Sequence, residues 1–128
     1  MLWDKTLETG IESIDAQHRE LFRRIDMLSD KSNDKKTVEM LAFLEEYVHV
    51  HFRDEEALQA RSKYPKAAEH KGYHAAYVDI IRKLKERLQN EGDTLLLKLE
   101  VNKQVFGWLR DHILVHDKEF ARYYRSLK

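Results

Sequence analysis

Residues 65–88 read PKAAEHKGYHAAYVDIIRKLKERL, and this stretch decides the fold class. Its histidine and apolar side chains recur in steps of four and three residues, which places them on one face of an α-helix. That face carries His70, His74, Tyr77, Ile81, Leu84 and Leu88. Pro65, which favours the first turn of a helix, marks the predicted start. The stretch therefore predicts an amphipathic helix that directs two imidazoles, with its apolar side chains, at a core.

Three further segments show the same kind of stripe. Their inward faces are His18, Leu21, Phe22, Ile25 and Leu28 in the first, Leu41, Leu44, Val48, His51, Phe52, Glu55 and Leu58 in the second, and Leu99, Val105, Trp108, Leu109 and His112 in the fourth. Asp15 and Asp93 are the predicted N-caps of the first and fourth helices. Because the connections are short, we predict an all-α, up-down-up-down four-helix bundle with an N-terminal arm and a short C-terminal helix.

Length and composition exclude several classes of protein. The 128 residues fit one domain, so we treat 1–128 as a single unit. Lys and Arg number 23 and balance 23 Asp and Glu, which argues against nucleic-acid binding. The predicted exposed faces have mixed charge and no obvious patch, which favours a monomer. With 0 Cys, a disulfide scaffold and a thiolate metal site are excluded. Since neither a signal peptide nor an apolar run of ~18 residues is present, we expect a cytoplasmic protein without a membrane span.

Histidine interrupts the apolar stripe of every predicted helix. Each imidazole taken alone is an ordinary hydrogen-bonded core residue, and His51 with Glu55 could be a pair on a helix surface. Burying five imidazoles and a carboxylate together without partners would cost several kcal/mol for each group. A metal site removes that cost, because neutral imidazoles and carboxylates are good ligands for a cation. Two metal ions can use this many donors more readily than one.

The second carboxylate requires a choice between neighbours on the fourth helix. His116 follows His112 by four residues, whereas Asp117 follows it by five, about 140° away on an ideal helix. The apolar stripe that begins at Ile113 nevertheless continues through Asp117, as a π-type bulge would produce. Two anions also suit a pair of metal ions better than one. We therefore select Asp117 and leave His116 at the edge of the site or on the surface.

These residues lie in segments that resemble the hemerythrin family, especially its bacterial single-domain members. The segments are IDAQH at 14–18, HFRDEE at 51–56, HKGYH at 70–74 after Tyr64 and Pro65, and WLRDHILVHD at 108–117. They span nearly the whole chain in the family's order and spacing. The resemblance implies a non-haem centre of two iron ions joined by an oxo or hydroxo bridge.

By this resemblance each candidate residue acquires a role. His70, His74 and His112 would hold one iron, His18 and His51 the other, and Glu55 and Asp117 would bridge both. In the family, O2 binds reversibly at the iron with two imidazoles and is held as hydroperoxide. The positions that match the family's O2 pocket are Leu21, Phe52, Trp108, Leu109 and Ile113.

The function that follows is O2 binding for storage, transport, scavenging or sensing, and not enzymatic turnover. The alternatives are a di-iron peroxidase or oxidase, a protein that handles iron or nitric oxide, and a bundle with a structural metal such as Zn²⁺. Tyr77 stands where the family often has Phe, so its hydroxyl needs a partner. Gly72 and Gly107 lie inside helices at a cost of about 1 kcal/mol each, and we expect close helix packing to explain them.

Overall fold

In a computed structural model, which describes residues 3–28, 36–92 and 94–127, the chain is a helical bundle. Three long helices are α1 (Glu12–Leu28), α2 (Lys36–Arg61) and α3 (Ala67–Glu91). The fourth is continuous but alternates between two geometries, with α4 (Leu95–Val101), α5 (Trp108–His112) and α6 (Lys118–Ser126) separated by π-helical segments at Asn102–Gly107 and Ile113–Asp117. No strand occurs in these ranges. The predicted all-α bundle with a C-terminal helix is confirmed.

Consecutive helices pack against each other along the bundle. No helix in the described ranges combines the length and apolar composition that a membrane span needs. An N-terminal arm with a 3₁₀ turn at Lys5–Leu7 precedes α1, and it inserts Leu7 fully into the interior.

The prediction that Asp15 is the N-cap of α1 is wrong, because the helix begins three residues earlier, at Glu12. Asp15 is buried in the first turn, where its carboxylate accepts hydrogen bonds from the backbone N–H groups of Thr9 and Gly10 at 2.8 and 3.1 Å. The Thr9 hydroxyl donates to the same carboxylate at 2.8 Å. Asp15 therefore anchors the arm to the helix.

Two other predicted helix starts differ from the structure. Pro65 lies in the turn before α3, which begins at Ala67. Asp93 lies outside the described residues. The N-cap of α4 is Thr94, whose hydroxyl oxygen accepts a hydrogen bond from the backbone N–H of Leu97 at 3.1 Å. A hydroxyl at this position supplies the partner that a free N–H group of the first turn needs.

The principal interior cluster, which we call the apolar core, occupies one end of the bundle and reaches to its middle. Its fully buried members include Leu21, Phe22, Leu41, Leu44, Val48, Tyr77, Ile81, Leu84, Leu97 and Val105. The Tyr77 hydroxyl has the partner that the sequence required, since it donates to the carbonyl oxygen of Val105 at 3.1 Å. Burial raises the pKa of Tyr77 well above its usual value, so this hydroxyl stays protonated.

Two predicted core positions are wrong. Leu99 is 57% exposed, and the buried positions of α4 are Leu97 and Val101. Leu58 is only partly buried, and Gln59 takes the inward position beside it. Leu99 lies two residues from both Leu97 and Val101, about 160° around an α-helix, and therefore points away from their face. The side chains of Ile25 and Leu28 lie outside the described residues.

The expectation of close helix packing at the helical glycines is also wrong. A Cβ atom at Gly72 or Gly107 would meet no neighbouring atom within 4 Å. Both positions have room for a side chain, and nothing in the structure explains why glycine occupies them.

Candidate metal centre

Seven ionisable side chains converge inside the bundle below the apolar core. We call this set the donor layer: His18 from α1, His51 and Glu55 from α2, His70 and His74 from α3, His112 from α5, and Asp117 from the second π-helical segment. None of the seven is more than 3% exposed. All four helices of the bundle contribute, counting α4 to α6 as one continuous helix, so the donor layer exists only in the folded bundle.

The π-helical turn at Ile113–Asp117 determines which residue of the fourth helix joins this layer. Asp117 is buried there five residues after His112, and the predicted bulge is confirmed. His116 is half-buried outside the layer, where its ring stacks on Tyr73 with centroids 4.0 Å apart. The remaining histidine of the chain, His49, is exposed on α2.

The donor atoms form two groups that share both carboxylates. One group contains Glu55, His70, His74, His112 and Asp117, and the other contains His18, His51, Glu55 and Asp117. Within each group the donor atoms lie within 4.8 Å of one another. This separation is what a set of ligands around one cation requires, so the geometry offers two adjacent cation sites.

Each carboxylate divides its two oxygens between the two groups. Glu55 Oε1 lies 2.7 Å from His70 Nε2 and 3.1 Å from His74 Nε2, whereas Oε2 faces His51 Nε2 at 4.0 Å. Glu55 therefore has one oxygen directed at each site.

Asp117 has the same arrangement from the fourth helix. Its Oδ1 lies 3.1 Å from His70 Nε2 and 3.1 Å from His112 Nε2. Its Oδ2 lies 3.2 Å from His18 Nε2. Both carboxylates thus have the geometry of bridging ligands.

These short distances are not hydrogen bonds. Both oxygens of Glu55 and of Asp117, and the Nε2 atoms of His70, His74 and His112, are buried without a hydrogen-bond partner. The Nε2 atoms of His18 and His51 face each other at 3.0 Å. Buried polar atoms that converge without partners are costly, and cations between them would satisfy their lone pairs. The residues therefore fit a pair of metal ions.

The electrostatics of the donor layer also favour a cation. Burial lowers the pKa of His51 to about 4, so this imidazole is neutral at pH 7. Burial and Asp117 raise the pKa of Glu55, but His70 and His74 lower it further, to about 2. Burial lowers the pKa of His70, yet Asp117 and Glu55 outweigh it and raise that pKa to about 9. Two buried carboxylates thus draw positive charge into the layer.

Outer hydrogen bonds orient two of the imidazoles. His51 Nδ1–H donates to Gln17 Oε1 at 2.7 Å, and Gln17 Nε2–H donates to Asp54 Oδ2 at 2.9 Å. His74 Nδ1–H donates to Glu56 Oε2 at 2.8 Å. A proton held on Nδ1 leaves the Nε2 lone pair directed into the layer. The sequence patterns predict no role for Gln17 or Glu56, although each is adjacent in the chain to a predicted ligand.

The five apolar residues predicted to surround an O2 pocket all belong to the apolar core or pack against it. Leu21, Phe52, Leu109 and Ile113 are buried in the apolar core, and Trp108 packs against it partly exposed. Phe52 stacks on His74 with ring centroids 3.8 Å apart, and Trp108 stacks on His112 at 4.6 Å. Two aromatic rings therefore lie directly against imidazoles of the donor layer.

Comparison with known proteins agrees with this geometry. The model of the hemerythrin HHE cation binding domain matches residues 9–124. A myohemerythrin from Theromyzon tessulatum is 31% identical over 111 residues, which cover 87% of this chain and 82% of that protein. A bacteriohemerythrin from Clostridium acetobutylicum is 28% identical over 127 residues, or 93% of this chain and 97% of that protein. A hemerythrin subunit beta from Lingula reevii is 27% identical over 118 residues, which cover 92% and 90%.

Proposed function

This chain belongs to the hemerythrin family, and from that premise we propose that it binds O2 reversibly at a non-haem di-iron centre. A hemerythrin domain implies iron binding, and imidazole with carboxylate is a donor set that suits iron. In this proposal the protein stores, delivers, scavenges or senses O2 and does not turn over a substrate.

The observation that carries the proposal is the division of each carboxylate between the two donor groups. A carboxylate can bind a single ion through one oxygen, but in Glu55 and in Asp117 the second oxygen also faces an imidazole of the other donor group. In this proposal one iron is held by His70, His74 and His112, the other by His18 and His51, and both by Glu55 and Asp117. The site with two imidazoles has fewer protein donors, which leaves room for a ligand.

The protein supplies orientation and a fixed proton arrangement. The two irons, when bound, would supply the reversible two-electron chemistry that O2 binding needs. His51 and His74 hold their protons on Nδ1, against Gln17 and Glu56, so that both Nε2 atoms remain free for iron. This tautomer requires no rearrangement when metal enters.

The apolar residues protect the reversible state by excluding water. Leu21, Phe52, Leu109 and Ile113 are no more than 5% exposed, and the Trp108 ring covers His112. Water and protons that reached the irons would favour irreversible oxidation. These apolar side chains therefore support release of O2 in its original form.

The charge of the donor layer supports binding over oxygen activation. Ferritin-like di-iron proteins use four Glu and two His, whereas this layer has five imidazoles and two carboxylates. A less anionic set of ligands stabilises high-valent iron less well. Cleavage of the O–O bond, which needs high-valent iron, is therefore disfavoured here.

Anaerobic reduction followed by exposure to air tests the proposal, with visible spectra and iron content measured on one sample. We expect two irons per chain and a charge-transfer band that appears with O2 and disappears under vacuum. Two irons that oxidise without a removable band, with turnover of added peroxide, would indicate a redox enzyme instead. A colourless protein that retains Zn²⁺ would indicate a structural metal.

The histidine pair on the fourth helix provides matched variants for this experiment. We expect His112→Ala to lose the paired-iron spectrum, because His112 Nε2 faces Asp117 inside the layer. His116→Ala should keep two irons and the band, since His116 lies outside the layer. The opposite result would show that the choice of Asp117 and His112 as ligands is wrong.

A further inference from the structure

Gln59 is a buried amide for which neither the core nor the donor layer has an evident use. It is 0% exposed, and neither its Nε2 nor its Oε1 has a hydrogen-bond partner. Outside the donor layer, it is the only side chain in the described ranges with buried polar atoms that lack partners. A buried amide without hydrogen-bond partners destabilises the fold, so glutamine at this position needs a reason.

The helix geometry directs Gln59 towards Glu55. The two residues lie four apart on the inward face of α2, and both are buried. Side chains four residues apart stack on one face, about 5–6 Å apart at their Cβ atoms. Each Cα–Cβ bond also tilts towards the N-terminus of its helix, which inclines the longer Gln59 side chain towards the Glu55 carboxylate.

Several buried apolar side chains lie at the same level of the bundle as Gln59. One turn beyond the donors, α1 contributes Ile14, and α6 contributes Phe120 and Ala121, all of them buried. Tyr64, a buried member of this cluster, already donates its hydroxyl to Glu119 at 3.3 Å. Gln59 is thus a buried N–H donor one helical turn from a carboxylate whose two oxygens have no hydrogen bond.

We propose that Gln59 is a positioning residue of the metal centre, with its Nε2–H donating to a Glu55 oxygen when metal is bound. The structure itself does not contain this hydrogen bond. This inference rests on the proposed function. A carboxylate oxygen that binds a metal ion with one lone pair keeps another, and in a buried site that lone pair needs a donor. Gln17 and Glu56 already orient His51 and His74 in this way. Gln59 does the same for the bridging carboxylate.

Titration with Co²⁺ tests the inference independently of O2 binding. We compare the unaltered chain with Gln59→Met, which keeps the side-chain length and removes the N–H group. Loss of such outer partners weakens metal binding 10–100-fold, so we expect about tenfold weaker Co²⁺ binding. Gln104→Met is the matched control, because the Gln104 amide donates to Glu100 instead. Its Co²⁺ affinity should be unchanged.

Each result has a distinct meaning. If the unaltered chain fails to bind two Co²⁺ ions, the proposed function is wrong. If it binds two and Gln59→Met binds them equally well, only the role of Gln59 is wrong. The latter case should also show a more stable metal-free Gln59→Met variant, as expected when an idle buried amide is removed.

NMR of the unaltered chain gives a second readout that does not depend on a variant folding. We expect the side-chain NH2 protons of Gln59 to exchange slowly with solvent and to change chemical shift when diamagnetic Zn²⁺ fills the centre. Resonances of the Gln59 amide that do not respond to Zn²⁺ would overturn the inference.

Discussion

The apolar core and the donor layer lie in the same bundle, on the same four helices, but they reach stability by different routes. In the apolar core, side chains such as Leu41, Leu44, Ile81 and Leu84 are buried against each other, and their removal from water stabilises the fold directly. In the donor layer, equally buried side chains present lone pairs that have no partner within the protein. Burial there opposes folding until a cation is bound.

This difference implies that metal loading and folding are coupled through one region only. A ligand that binds the folded state alone stabilises it in proportion to its affinity. The apolar core should therefore stabilise the fold equally in the metal-loaded and the metal-free protein. The donor layer should stabilise the fold when metal is bound and destabilise it when metal is absent.

Removal of iron is the largest perturbation and tests the coupling directly. We expect metal-free protein to lose several kcal/mol of unfolding free energy and to melt more than about 10 °C lower, because the seven donors are left without a cation. Calorimetry of the iron-loaded and chelator-treated protein measures this difference. Equal melting temperatures would contradict a buried site that depends on metal.

Leu44→Ala perturbs the apolar core instead and should act alike in both forms. Leu44 is fully buried, so we expect a loss of about 2–5 kcal/mol with iron and without it. Chemical denaturation of both forms measures the two losses. Leu99→Ala, at an exposed leucine, is the control and should change stability by less than about 0.5 kcal/mol. A loss confined to the iron-loaded form would mean that the two regions are not independent.

Glu56→Ala perturbs the donor layer from outside and should act on metal alone. Without the Glu56 carboxylate, His74 loses the acceptor that holds its Nδ1 proton. We expect metal affinity to fall 10–100-fold, while metal-free stability changes little. Metal titration and denaturation of the metal-free protein separate these effects. Glu46→Ala, at an exposed position of α2, is the control, and an equal loss there would argue against a specific role for His74 and Glu56.

The comparison also explains how much the sequence could predict. The bundle and six of the seven donors follow from the 3.6-residue period and from polar residues placed on apolar faces. Asp117 required one further step, because the stripe resumes at Ile113 after a shift of one residue, and the structure has a π-helical turn there. The signal for this turn was in the phase of the side chains.

The predictions that were wrong concern the orientation of side chains around a helix and contacts between helices. Leu99 was taken as buried because it is apolar, although its separation of six residues from Val105 corresponds to about 120° around an α-helix. Leu58 was placed on the inward face because it is apolar, yet the phase set by Glu55 turns Gln59 inward. Contacts between helices, such as His74 with Glu56, depend on packing that no single-helix pattern contains.

Gly72→Ala is the smallest perturbation, and it tests whether the backbone between His70 and His74 affects metal binding. Gly72 lies two residues from His70 and two from His74, and a Cβ atom there would meet nothing within 4 Å. Because alanine is the better helix former, we expect a gain of about 1 kcal/mol in both the iron-loaded and the metal-free form. Denaturation measures the gain, metal titration should show no change in affinity, and Gly107→Ala offers a second open position for comparison. If stability rises but metal affinity falls, the freedom of the backbone at Gly72 serves the donor layer. In that case the imidazoles of α3 must move when metal enters, and the donor layer cannot be treated as rigid.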